Sequence, residues 1–134
     1  MESSIEALSI YRFEAGGEAL DDARLMYENG RYKNALNRGY YAIFHSIRAV
    51  NSLDGFDSSK HSGVIAYFNQ NYVKSGKFPK EVSGIIKQAS ENREKADYLD
   101  FFVASGKEAE KQIERAEKFR GYIKEYLEKM GILQ

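Results

Sequence analysis

The chain has 134 residues, 20 basic and 20 acidic side chains, and no cysteine. Disulfides and thiolate chemistry are therefore excluded, and a net charge of zero argues against non-specific binding of duplex DNA, which a basic surplus normally drives. No run of 18 apolar residues is present, so no membrane span is expected.

A single domain over residues 1–134 in a cytoplasmic setting is the expectation. The opening Met1-Glu2-Ser3-Ser4-Ile5-Glu6 has neither the basic flank nor the apolar stretch of a secretory signal. Two histidines without cysteine argue against a structural zinc site, and no metal or cofactor is expected.

One proline, and glycines that fall mostly between periodic stretches, predict an all-α fold. The first helix is expected over about 4–28, with the apolar stripe Leu8, Ala15, Ala19, Ala23 and Met26. Gly16-Gly17 is expected to bend or break it, and Asn29-Gly30 to stop it. The second helix is expected over about 32–53. A loop follows, with Ser58 or Ser59 as the next N-cap.

The third helix, over about 60–74, carries Val64, Ile65, Phe68 and Tyr72. Pro79 suits the first position of a fourth helix that runs to about 99 with Val82, Ile85, Ile86 and Ala89 on one side. Ser105-Gly106 interrupts the pattern. The last helix, over about 107–130, repeats Ala109, Ile113, Ala116, Phe119, Ile123, Leu127 and Met130 at helical spacing. Its charge-rich start, residues 107–115, reads as a solvated face. Short connections predict an up-and-down antiparallel bundle of four to five helices.

The second helix differs from the others. Tyr32, Leu36, Gly39, Ile43, Ile47 and Val50 form an ordinary core face, and Tyr40, Phe44 and Ile47 form a further apolar stripe. Asn34, Arg38, Tyr41, His45 and Arg48 form a separate polar and aromatic stripe. A helix apolar around most of its circumference is covered on more than one side. A second subunit is the expected cover, giving a homodimer with this helix near the two-fold axis.

Arg38 and His45 stand seven positions apart. In a helix that spacing is about two turns, so both project from one face, roughly 10 Å apart along the axis. A guanidinium suits phosphate, and an imidazole changes charge near neutral pH. The pair can clamp a phosphate and move a proton. A structural role is the competing reading, with Arg38 bridging an acidic side chain of a neighbouring helix.

Three stretches carry a resemblance. They are Tyr32-Lys33-Asn34-Ala35-Leu36-Asn37-Arg38-Gly39-Tyr40-Tyr41-Ala42-Ile43-Phe44-His45, then Lys60-His61-Ser62-Gly63-Val64-Ile65-Ala66, then Arg93-Glu94-Lys95-Ala96-Asp97-Tyr98. In order and spacing they resemble the stand-alone prokaryotic branch of the HEPN family, from Ala19 to Phe102. The resemblance implies a dimerising helical bundle and a metal-independent ribonuclease of the Arg-x6-His type. It further implies a toxin paired with a minimal nucleotidyltransferase, with RNA or a nucleotide as ligand. The alternative is a non-catalytic nucleotide- or phosphate-binding module that assists such a nucleotidyltransferase.

Arg38 and His45 fall on the two motif positions and are the expected catalytic pair. Asn37, Tyr41, Arg48, His61, Asp97 and Tyr98 are the expected cleft-supporting or phosphate-binding residues. His61 opens the third helix, where free N–H groups attract anions; a plain surface cap is the competing reading of that position. Asp97 and Tyr98 are expected to frame the cleft and orient Arg38 or His45, or else to pack at a helix end. Arg48 adds positive charge or is simply solvated. Gly39 stands where many relatives carry a polar residue. Ile47 stands where some toxin relatives carry a tyrosine that the partner enzyme modifies.

Overall fold

The computed structural model describes residues 3–134. Five α-helices follow in order: α1 (Ser4–Glu28), α2 (Tyr32–Asn51), α3 (His61–Phe68), α4 (Glu81–Tyr98) and α5 (Gly106–Lys129). A 3₁₀ turn, Ser52–Asp54, extends α2, and a π-helical turn, Asn69–Val73, extends α3. No strand is present among the described residues. Ser3 caps α1 by accepting from the Glu6 amide at 3.1 Å, and Ser105 caps α5 in the same way through the Glu108 amide. Gly30, at φ 72°, closes the turn between α1 and α2.

The helix α2 is the hub. It packs against α1, α3, α4 and α5, and Leu36, Ile43, Ile47 and Val50 are completely buried. Ile43, Ile47 and Val50 share one buried cluster with Phe13 and Leu20 of α1 and with Phe119, Ile123 and Leu127 of α5. The apolar circumference of α2 is thus covered within one chain, so it does not by itself require a second subunit. What stays half-exposed is the polar stripe of Arg38, Tyr41, His45 and Arg48.

Several local expectations change. Helix α1 runs unbroken through Gly16-Gly17. Gly16 is there for close approach: a Cβ on it would stand 2.9 Å from the Ala42 carbonyl oxygen on α2. The buried stripe of α1 is Ser9, Phe13, Gly16, Ala19, Leu20 and Ala23, so Leu8 faces outward. Pro79 precedes α4 rather than opening it, and neither Ser58 nor Ser59 is the N-cap of α3, which begins after Lys60. Ser58 Oγ instead accepts from the Lys60 amide at 3.2 Å inside the loop. Within the charge-rich start of α5, Gln112 is fully buried and donates to the carbonyls of Leu36 and Ala89, tying α5 to α2 and α4. Opposite it, a Cβ on Gly39 would meet Gln112 Cγ at 2.8 Å, which explains why no larger side chain follows Arg38.

Candidate functional site

The stripe on α2 holds its side chains in sequence through aromatic contacts. The Arg38 guanidinium sits 5.0 Å from the centre of the Tyr41 ring, and Tyr41 lies 5.9 Å from the His45 ring. One tyrosine therefore links the two motif residues. Arg38 makes no ion pair among the described residues, and its Nε is buried without a hydrogen-bond partner. The bridge to an acidic side chain that a purely structural role would use is not formed.

The His45 ring is half-buried, and its pKa lies below the ordinary imidazole value. Burial is the largest cause, followed by the positive charges of Arg48, Arg38 and Arg12. A chain of zero net charge thus concentrates cations around one imidazole. The lowered value favours the uncharged ring, the form that accepts a proton.

His61 comes to the same place from α3. Its ring lies 4.2 Å from Phe44 and 5.6 Å from Tyr41, centre to centre. The Tyr40 hydroxyl stands 3.1 Å from His61 Nδ1. Burial pushes Tyr40 up to about 12, so the hydroxyl keeps its proton and shares a hydrogen bond with the imidazole, whose direction follows the His61 tautomer. The Tyr40 ring is itself stacked under the Arg93 guanidinium at 4.7 Å. Phe44, Arg48, Asp57, Ser58, Ser59 and His61 line an open cleft of about 590 Å³.

Arg48 is not simply solvated. Its Nε and Nη2 donate to the two carboxylate oxygens of Asp57 at 3.2 and 2.8 Å, and Arg12 Nη2 joins them at 3.1 Å. These contacts hold the Asp57 carboxyl below the usual carboxylate range, hydrogen bonding from Arg48 being the largest cause.

Asp97 and Tyr98 serve other partners. Asp97 accepts from Asn37 Nδ2 at 2.9 Å and pairs with Arg93 at 3.6 Å, while the Tyr98 hydroxyl takes a long contact of 3.4 Å from Arg93. They orient Asn37 and Arg93 rather than Arg38 or His45. Asn37 is thereby tied to the end of α4, one residue before Arg38 but outside the aromatic cluster.

Arg12 and Asp57 escaped the sequence reading. Arg12 lies 36 positions from Arg48, and Asp57 sits in a loop whose composition marks only a turn. No periodicity links them: the crossing of α1 over α2 brings Arg12 to Arg48, and the loop after α2 carries Asp57 to both. No group of three or more His, Asp or Glu side chains that could hold a metal ion occurs among the described residues.

The comparisons with known proteins agree with this architecture. The chain is 38% identical over 111 residues to a UPF0332 protein of Thermotoga maritima, covering 83% of this chain and 84% of that one. It is 36% identical over 117 residues to a Methanocaldococcus jannaschii protein named "Putative toxin MJ0605", covering 87% of each. The crystal structure of TT1696 from Thermus thermophilus shares the fold, with a TM-score of 0.75 at 17% identity over 89% of this chain and 98% of that one. The family model described as the HEPN domain matches residues 11–126, and the chain belongs to the HEPN family.

Proposed function

We propose that this protein is a metal-independent RNA endonuclease that works as a homodimer, the toxin of a pair whose other member is a minimal nucleotidyltransferase. The observation that carries the reading is an Arg38 guanidinium without an acidic partner, joined through Tyr41 to the His45 imidazole, whose uncharged form is favoured. The toxin name borne by a relative 36% identical to the chain supports the biological setting.

In the reaction, neutral His45 takes the proton of a 2′-hydroxyl. The 2′-oxygen forms a bond to phosphorus, the bond to the 5′-oxygen breaks, and an acid protonates that leaving oxygen. Arg38 stabilises the charge that builds on the phosphoryl oxygens. The products are a 2′,3′-cyclic phosphate and a 5′-hydroxyl. A second copy of the chain supplies the acid, its His45 in the protonated form across the two-fold axis, so the reacting dimer carries one uncharged and one protonated imidazole.

His45→Ala is expected to abolish cleavage and to relieve growth arrest on expression in bacteria, while the dimer survives in sedimentation. Undiminished cleavage by that variant eliminates the mechanism. The open cleft beside His61 gives a second reading some footing, a nucleotide-binding module without catalysis. Harmless expression of the unaltered chain, together with saturable nucleotide binding, would select it.

A further inference from the structure

Arg12 and Arg48 come from two different helices and share one anion, Asp57. The guanidiniums are fixed by the α1–α2 packing and mostly covered, with side-chain exposures of 12% and 27%. Arg12 Nη1 also reaches the Arg48 backbone carbonyl at 3.5 Å. The carboxylate is the exposed member, at 41%, and it sits on the loop between α2 and α3. Three N–H groups converge on its two oxygens. Two cations held side by side repel unless an anion lies between them. The fork and the extra donor that Asp57 fills match the oxygens of a phosphate equally well.

The position fits a strand of nucleic acid. Arg48 lies three residues beyond His45 on the same stripe, about 4.5 Å farther along the helix axis. The cleft beside it opens onto Ser58, Ser59 and His61. A strand whose reacting phosphate meets Arg38 and His45 runs on over Arg48.

We infer that Arg12 and Arg48 form a second phosphate subsite, for the phosphodiester next to the one that is cut, and that Asp57 fills it in the unliganded protein as an internal competitor. The inference rests on the RNA reading of the cleft. A backbone phosphate binds by displacing the carboxylate, which swings into solvent on its loop. Non-specific polyanions are thereby disfavoured, and a strand that engages both subsites is selected.

The test is fluorescence anisotropy with a short labelled 2′-deoxy oligouridine, which lacks the attacking hydroxyl and so reports binding alone. Asp57→Asn is expected to bind about tenfold tighter than the unaltered chain, because a charge-assisted contact is released to the ligand. Its log–log salt slope is expected to steepen by about 0.7, the share of one phosphate on a single strand. Adding Arg12→Gln to Asp57→Asn is expected to cancel both gains.

Unchanged or weaker binding by a folded Asp57→Asn overturns the inference, since an ion pair that only ties loop to helix would lower the melting temperature without raising affinity. If Asp57→Asn does not fold, Arg12→Gln in the unaltered chain decides: about threefold weaker binding supports the subsite, and unchanged binding overturns it. Cleavage of the matching ribo-oligomer is followed separately. Should no variant cleave while the binding pattern holds, the catalytic reading falls and the subsite stands.

Discussion

At the scale of single residues, the environment of His45 makes a signed prediction. Its pKa is lowered by burial first, then by Arg48, Arg38 and Arg12. The acid limb of the cleavage profile is therefore expected below about 6.5, the ordinary imidazole value. Arg48→Gln removes the largest of the charge contributions, so it is expected to move that limb upward, and the His45 ring resonances should titrate higher by the same amount in NMR. A limb that stays in place, or moves down, would show that His45 is not the titrating base. The linkage to stability has a definite sign too. The unfolded chain binds the proton more readily than the folded one, so stability is complete above about 6.5 and falls as pH drops through that value, levelling off below the folded pKa. His61, also lowered, first by burial and then by Arg93, adds to the same loss. At this scale the sequence carried half of the site. The Arg38–His45 spacing was readable because both lie on one helix. Arg12 and Asp57 were not, because their meeting depends on a helix crossing and a loop path that no local pattern encodes.

At the scale of elements, the helix count and most boundaries were legible, because periodicity reports directly on local backbone, whereas the serine cap expected for α3 is not formed and those of α1 and α5 were not read. Which side of a helix goes inward was less so. On α1 the buried stripe includes Ser9, whose hydroxyl donates to the Ala49 carbonyl at 2.7 Å, and Gly16, so composition alone misplaces it. The two adjacent glycines give a sharp contrast. A Cβ on Gly16 would meet Arg120 Nη1, the Ala42 carbonyl and Ser46 Oγ within 2.7–2.9 Å, and the backbone member of that set cannot yield cheaply. Gly16→Ala is expected to destabilise the fold by about 1–3 kcal/mol. A Cβ on Gly17 meets only the far end of the Arg120 side chain, at 3.0 Å. Gly17→Ala is expected to be neutral or to stabilise by up to about 1 kcal/mol, through the helix propensity of alanine. Urea denaturation of the two variants checks the pair. Equal losses at both positions would contradict the close approach of α1 and α2 at Gly16.

At the scale of the whole molecule, the question is where the second proton-transfer group comes from. Transesterification needs a base and an acid, and the α2 stripe of one chain carries a single histidine. His61 is the other imidazole within the chain, but its Nδ1 is engaged by the Tyr40 hydroxyl and its ring lies against Phe44, so it is placed to line the cleft. A two-fold dimer built on the half-exposed stripe of α2 doubles the His45 and Arg38 groups around one strand, and this is the source of the acid in the reading proposed above. The apolar faces of α2 are already filled within the chain, so such a dimer rests on the polar stripe and its rim and dissociates more readily than a purely apolar one. The consequence is concentration dependence. Cleavage per chain is expected to be constant at high protein concentration and to fall in proportion to concentration once the dimer dissociates, with a midpoint that coincides with the monomer–dimer transition seen by sedimentation. His61→Gln is expected to retain that dependence. A rate per chain that holds constant through the dissociation, and that His61→Gln alone removes, would instead place both imidazoles of the reaction within one chain.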